Sequence, residues 1–279
     1  MAFQMLDRNI HLPSVPSDVS HRFAQGDEWL MTDAERSALT ALLAETRPGC
    51  AIEIGTYKAG SLSVISRFCK KVYTLDTDDT CRTQFGEKYP NVEFIAGLSG
   101  DTLPPLLERI QAAEERLGFV LIDADHSAEG VRRDIENVLR YRPIQPLYII
   151  MHDSFNPEVR RGILQANWSS NPYVHMLEAD YVVGRFVTSE EGGYREMWCG
   201  FALAVLLPEK RMGDVVMHEN ESLMFLTVLR HSVYRYNKWW NPLFSFPMAA
   251  RNFKHAIGRM LQHRAPAVYE ALRRRRNTV

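Results

Sequence analysis

The sequence predicts an α/β protein: an open, doubly wound sheet, mostly parallel, with an antiparallel edge hairpin and a C-terminal helical appendage. Two observations predict it. From Cys50 to Asp153, short β-branched runs alternate with helical stretches, as parallel strands joined by crossover helices on both faces require. After Asp153 that alternation gives way to two apolar runs joined by a turn, the pattern of a hairpin. The 279 residues, 46% hydrophobic and 24% charged, suffice for one large domain with an appendage.

Residues 1–30 are polar and proline-bearing and read as an irregular arm. Thr32 with Glu35 forms a capping box, and Leu39, Leu42 and Leu43 follow at helical spacing until Pro48-Gly49 stops the helix. The alternation then runs CAIEIG (strand), SLSVISRFCK (helix), VYTLD (strand), TCRTQFGEKY (helix) and VEFIAG (strand). It continues with TLPPLLERIQAAEERL, a helix with its prolines in the first turn, then FVLID, the helix AEGVRRDIENVLRY and the strand LYIIMHD. PEVRRGILQANW reads as helical, and YVVGRFV and CGFALAVLL, joined by SEEGGYREMW, read as the edge hairpin. The domain is expected over 31–207. Beyond it, 208–279 is aromatic and basic, with RNFKHAIGRMLQH and VYEALRRRR as helices.

Composition excludes some function classes. A net charge of −1 argues against nucleic-acid binding. Residues 251–279 carry +7, however, leaving −8 on the other 250. The four cysteines, Cys50, Cys69, Cys81 and Cys199, show no metal-ligand spacing and read as reduced thiols. MAFQMLDRNIHLPSVPSD lacks the apolar core of a signal peptide, and no apolar run reaches the ~18 residues of a spanning helix. A cytoplasmic location is expected. Trp239, Trp240, Phe244 and Phe246 beside basic helices either pack on the core or a second subunit, or meet a membrane surface at the inner face. The Arg273–Arg276 run also suits a solvated helix end.

Ligands of open α/β sheets sit at the carboxyl ends of strands. The first such loop is Glu53-Ile54-Gly55-Thr56-Tyr57-Lys58-Ala59-Gly60-Ser61. Gly55 permits a sharp turn, and Gly60 lets the next helix pack closely and offer its N-terminal amides. The glycines are five apart, so a pyrophosphate cradle is poorly supported. Glu53 suits a ligand with a positive or donor-rich head. Asp76, 23 residues on, ends the second strand, where a carboxylate accepts ribose hydroxyls. The competing reading is a tight turn with Asp76 capping a helix.

EIGTYKAGS followed by VYTLDTD resembles motif I and the acidic second strand end of class I S-adenosylmethionine-dependent methyltransferases, which have a Rossmann-like fold with an antiparallel last strand. The resemblance spans roughly 30–207. It implies that Glu53 lines the methionine end, that Gly55, Thr56, Gly60 and Ser61 shape the loop, and that Asp76 holds the ribose. It further implies that GLSGDTLP, through Leu98 and Ser99, lies near the adenine.

FVLIDADHS puts Asp123 at the fourth strand end, with Asp125 and His126 beyond, and IIMHDSFN puts His152 and Asp153 at the fifth. The 30 residues from Asp123 to Asp153 make one helix crossover, so the two ends can lie side by side and hold a divalent cation. Oxygen ligands favour magnesium, calcium or manganese; an imidazole tilts the choice toward manganese, iron or zinc. Helix-capping acids are the competing reading. IDADHSAEGVRRDI with IIMHDS resembles metal-dependent O-methyltransferases of the catechol and caffeoyl type, and more closely those acting on sugars of macrolides and related glycans. That implies Asp123, His152 and Asp153 as ligands, with magnesium or manganese as the ion. His152 departs from the usual acidic or Asp-Asn pair, and Asn156 or Asp125 could substitute for it. His126 stands where the catechol type has a general-base lysine, and with Asp123 is the expected catalytic pair. The acceptor is expected to be a glycan or small-molecule hydroxyl, with a phenol as the alternative; a homo-oligomer is also compatible.

Three other readings compete. A nicotinamide oxidoreductase would use Asp76 and the Tyr234/Lys238 spacing, but that pair lies far past the βα core. A glycosyltransferase would use Asp123-Ala-Asp125 as a DxD motif, without need of the Glu53–Gly60 loop. A non-catalytic binding protein would keep only the fold.

Overall fold

The computed structural model describes residues 29–188 and 195–236. An eight-stranded sheet runs in the order β10-β6-β9-β5-β4-β1-β2-β3. The strands are β1 (Cys50–Ile54), β2 (Lys71–Asp76), β3 (Val92–Ala96), β4 (Leu117–Ile122), β5 (Leu147–His152), β6 (Val174–Val182), β9 (Phe201–Leu206) and β10 (Val216–His218). The helices are α1 (Asp33–Thr46), α2 (Gly60–Phe68), α3 (Cys81–Phe85), α4 (Ser99–Ala112), α5 (Ala128–Val138), α6 (Pro157–Gln165) and α7 (Ser222–His231). Strand order reverses between β1 and β4, so the crevice expected to take a ligand opens above those two strands.

The two faces of β1 to β5 read off as alternation within fully apolar runs. Ile52, Ile54, Val120, Ile122, Ile149 and Met151 face α4, α5 and α6, which contribute Leu103, Ile110, Ile135 and Ile163. Ala51, Val72, Phe119, Leu121 and Ile150 face α1 and α2, through Leu39, Leu43, Leu62 and Ile65. Two polar residues, Glu53 and Thr74, interrupt this second face, and both are buried.

The antiparallel strand expected from the sequence is β9, which pairs antiparallel with both β5 and β6. The hairpin differs in detail from the expectation. Its first strand begins at Val174, ahead of the YVVGRFV run, and that run breaks at Val183-Gly184. Beyond the break, β7 (Arg185–Thr188) and β8 (Arg195–Trp198) form a separate two-stranded sheet. The break falls where only glycine fits: a Cβ at Gly184 would lie 2.3 Å from Phe155 Cβ and 2.5 Å from the Trp198 carbonyl oxygen. On the facing strand, Cys199 and Gly200 turn the chain at φ +65° and +88°. β10 then adds parallel to β6, so it takes the edge outside the hairpin.

Helix α4 corrects the expected proline placement. It starts at Ser99, and Pro104 and Pro105 fall inside it, past the first turn. The earlier start follows from the Leu98 carbonyl, which accepts from the Asp101 and Thr102 amides, each at 3.0 Å. The expected helix after β2 shrinks to the five residues of α3.

Past Pro208, α7 lies over a small cluster in which Phe225 meets Phe155 with ring centroids 5.7 Å apart. Arg160 of α6, almost fully buried, ties this region to the sheet. Its guanidinium donates to both oxygens of buried Asp180, at 2.7 and 3.1 Å, and to Glu219 Oε2 at 3.2 Å, and lies over the Phe225 ring. Arg160→Ala strands a buried carboxylate and should cost about 3–5 kcal/mol. Glu219→Gln, at the network's exposed end, should cost less than about 1 kcal/mol. Urea unfolding midpoints of the two variants check this order; equal shifts would contradict it.

Candidate active site

Parallel register brings the strand ends level. Glu53 of β1 sits opposite Thr74 of β2 and Leu121 of β4, and Ile122 of β4 sits opposite Met151 of β5. One step further, Asp123 and His152 leave adjacent strands side by side. The Asp123 amide donates to the Ile54 carbonyl at 2.8 Å, holding the end of β4 against β1. Gly55 turns away from this crossing at φ +100°, where a Cβ would stand 2.0 Å from the Asp123 carbonyl oxygen. Only glycine meets both demands.

The loop after β1 is held by two acids from different sides. Asp76 Oδ2 accepts from the Thr56 and Tyr57 amides, both at 2.9 Å, and its Oδ1 accepts from the Asp78 amide at 2.8 Å. Glu53, fully buried, accepts from Ser61 Oγ on one oxygen and Thr74 Oγ1 on the other, each at 2.6 Å. Thr56 Oγ1 joins Thr74 Oγ1 at 2.6 Å. Burial pushes the Glu53 carboxyl up to about 8, against the pull of Ser61 and Thr74 and with added push from Asp123 and Asp76. Burial thus favours the neutral form of Glu53, which braces the loop from beneath, closed off from solvent. Gly60 opens α2 after Ala59, at φ +59°, with no side chain capping the helix.

Above this network lies a cavity of about 270 Å³, walled by Thr56, Thr74, Asp76, Cys81, Phe94 and Ala96 among others. Its size and its position at the ends of β1, β2 and β3 suit part of a nucleoside. The wall stops at Ala96, short of the next loop. There Leu98 is the half-exposed residue before α4, and Ser99 Oγ is committed to buried Asp134 at 2.6 Å.

The acids and imidazoles of β4 and β5 converge. His152 Nδ1 lies 3.0 Å from Asp123 Oδ1 and 3.6 Å from Asp153 Oδ2. His126 Nε2 lies between the same two oxygens, 3.0 Å from Asp153 Oδ2 and 3.4 Å from Asp123 Oδ1. Asp153, in left-handed backbone at φ +57°, also accepts from the Cys199 amide at 2.6 Å. Two aromatic edges close the flanks, Trp198 against His126 and Phe201 against His152. His152 is almost fully buried, whereas the His126 side chain is 42% exposed and forms the mouth.

Charge within the cluster is mutual. Burial opposes every ion here, but the imidazoles outweigh it and hold Asp123 well below the usual carboxylate range. Burial likewise works against a charged His126, yet Asp123 and Asp153 push it up to about 10. The neighbouring carboxylates raise His152 well above the ordinary histidine value in the same way, against its burial. The carboxylates thus favour the protonated form of both rings, and His126 is biased toward holding a proton where the sequence suggested a near-neutral base.

Asp123, His152 and Asp153 each bring a donor atom within 4.8 Å of the others. Two carboxylate oxygens and one imidazole nitrogen fit a divalent cation such as magnesium or manganese, with zinc also compatible. The two residues that could have substituted for His152 are engaged elsewhere. Asp125 Oδ1 caps Ser127 at 2.9 Å and its Oδ2 faces Arg133. Asn156 caps α6 through the Glu158 amide, at 2.9 Å, and donates to Tyr234 Oη.

Sequence reasoning missed Glu35. It reads only as the last residue of a capping box, and it does close that box with Thr32. The same carboxyl is fully buried and places Oε1 3.1 Å from His152 Nε2 and 2.6 Å from the Gly200 amide. Its only sequence signal was an acid three residues into an amphipathic helix, which says nothing of a partner more than a hundred residues away.

A family profile described as a methyltransferase domain matches residues 52–154. No curated protein matches the chain. Among solved structures, the O-methyltransferase of Bacillus cereus in complex with SAH is 18% identical, with a TM-score of 0.46, over 68% of this chain and 86% of that one. The O-methyltransferase TomG of Streptomyces achromogenes, involved in tomaymycin synthesis and bound to SAM, is 17% identical, with a TM-score of 0.45, over 64% and 82%.

Glu53→Gln tests the brace. A carboxyl raised in the fold binds more protons folded than unfolded between about 4.5 and 8, so wild-type stability falls relative to the variant as pH rises through that window. The melting-temperature gap should move steadily in favour of Glu53→Gln from pH 5 to 8 and level off above; a constant gap would show that Glu53 is ionised throughout.

The segment 52–154, which carries Glu53, Asp76, Asp123, His152 and Asp153, is the part of the chain that matches a methyltransferase-domain profile.

Proposed function

We propose that the chain is an S-adenosylmethionine-dependent O-methyltransferase acting on a hydroxyl of a sugar or glycosylated small molecule, assisted by a divalent cation, magnesium or manganese. One observation carries the reading. Asp123 belongs to both halves of the site: its backbone packs on Gly55 at the root of the loop, and its carboxylate joins His126, His152 and Asp153. A donor held by the loop and an acceptor held by the cluster would therefore meet at one strand end.

The residues divide the work. Thr56, Gly60, Ser61 and Asp76 shape the donor side, with Leu98 and Ser99 at its rim. The loop offers no phosphate cradle, and Glu53 lies beneath it, braced by Ser61 and Thr74. Asp123, His152 and Asp153 would hold the cation. When bound, such an ion lowers the pKa of a coordinated hydroxyl and stabilises the developing alkoxide. His126 is the exposed member, and its Nε2 is the atom that takes the hydroxyl proton once it has released its own. Holding the acceptor oxygen beside the donor supplies most of the remaining acceleration, as positioning alone is worth several kcal/mol. The glycan acceptor is supported by the IDADHSAEGVRRDI context.

The DxD glycosyltransferase reading loses its second acid, since Asp125 turns to Ser127 and Arg133. Membrane contact through Trp239, Trp240, Phe244, Phe246 and Arg273–Arg276 rests on residues outside those described. No helix among the described residues is long and apolar enough to cross a membrane.

Calorimetry with S-adenosylmethionine, NAD and a UDP-sugar should show binding of the first alone. With a glycoside acceptor, Asp123→Asn and chelation should each abolish most turnover, and His126→Gln should lower kcat by about 10²–10⁴-fold while donor affinity stays within about twofold. Undiminished transfer under chelation and in Asp123→Asn would rule out cation assistance. Transfer to a catechol but to no glycoside would move the acceptor class to phenols.

A further inference from the structure

We infer that Glu35, from helix α1, is a positioning residue for the active site: it holds His152 by Nε2 and so aims Nδ1 at Asp123 and Asp153. The inference rests on the cluster proposed above as the acceptor side, and it concerns a residue outside the matched domain.

The geometry is specific. His152 has two ring nitrogens in different surroundings. Nδ1 faces the two aspartates at 3.0 and 3.6 Å. Nε2 points the other way, into the protein, where Glu35 Oε1 lies 3.1 Å off. That contact is oblique, so Nε2 is buried with no well-aligned hydrogen-bond partner of its own. Glu35 is the ion-pair partner on that side, and the Phe201 ring packs edge-on against the same imidazole. A carboxylate behind an imidazole fixes the orientation of the ring, here with Nδ1 facing forward.

Glu35 is itself held rigidly. Oε2 accepts from Thr32 Oγ1 at 2.7 Å, and Oε1 accepts from the Gly200 amide at 2.6 Å. The first anchor belongs to the start of α1 and the second to the turn before β9. Gly200 cannot carry a side chain there, since a Cβ would meet Ser154 Oγ and the Gly184 amide at 2.9 Å, at φ +88°. The carboxyl therefore links three separate segments at the back of His152. A capping role alone requires only Thr32 and explains neither the full burial nor the contact with His152.

Selective capping and positioning predict different variants. Thr32→Ala removes the side-chain cap but keeps the carboxylate beside His152, because the residue-32 amide still donates to Oε2 and the Gly200 amide to Oε1. Glu35→Gln keeps the shape and removes the charge. The test is two-bond 15N–1H correlation of the histidine rings in the full chain, with no cation or donor added, together with kcat under saturating donor. The ring spectrum is independent of any methyl transfer, so it reports on Glu35 even if the proposed reaction is wrong. In Thr32→Ala, the His152 ring signals should match wild type. In Glu35→Gln, the Nε2 and Nδ1 signals should move, and kcat should fall about 10–100-fold, the usual effect of losing such a partner. If Glu35→Gln does not fold, Glu35→Asp, which draws the carboxylate back by one methylene, should move the same signals. Unchanged His152 signals in the Glu35 variant, or equal changes in Thr32→Ala, would reduce Glu35 to a helix cap and overturn the inference.

Discussion

The close approach of Gly55 to the Asp123 carbonyl is the constraint on which the site depends. At 2.0 Å from that oxygen, a Cβ has no place, and the backbone at φ +100° already asks for glycine. Because the chain can turn there, β1 and β4 stay paired to their last residues, with the Asp123 amide on the Ile54 carbonyl. The turn sends the loop toward Asp76 on one side. The pairing sends Asp123 toward His152 on the other. A side chain at position 55 would wedge the two strand ends apart and separate the loop after β1 from the Asp123–His152 cluster.

Burying ions at such a place is costly unless they answer one another. Glu35, Asp123 and Asp153 face His126 and His152, and each carboxylate contacts at least one ring. Glu35 shows the balance: burial disfavours its charge, but His152 and Thr32 hold it below the ordinary glutamate value. Glu53 shows the alternative. With only hydroxyl donors around it and two further acids nearby, it is pushed up to about 8, toward its neutral form. The same side-chain type is thus shifted in opposite directions at two sites 18 residues apart in sequence, decided by whether a cation lies within reach.

The sheet was legible because its physics is local. Runs such as CAIEIG and FVLID are too short and too β-branched for helices, and the crossover lengths force parallel neighbours. Strand ends are then determined, which is why Glu53, Asp76, Asp123 and Asp153 could be placed before any coordinates. The errors lie where distant atoms decide. The hairpin breaks at Gly184, where Phe155, from another segment, packs so close that only glycine fits. Helix α4 swallows its prolines because the Leu98 carbonyl nucleates it early. Asp125 and Asn156 were open as cation ligands on spacing alone, and each is engaged by its own following helix. Glu35 was invisible for the same reason, since its partners His152 and Gly200 lie more than a hundred residues further along the chain.

Glu35 also changes what the N-terminal helix is for. Helix α1 buries Leu39 and Leu43 on the face of the sheet opposite α5, and that packing alone would justify its presence. A helix kept only for its apolar face could slide by a residue or rotate by some tens of degrees with modest loss. The Glu35 carboxyl removes that freedom, because Oε1 must meet both the Gly200 amide and the back of His152 while Oε2 stays on Thr32. Helix α1 is thereby registered against β9 and β5 by polar contacts whose directions are specific, on top of apolar contacts that are not. The position of a ring in the site becomes a consequence of how the first helix begins.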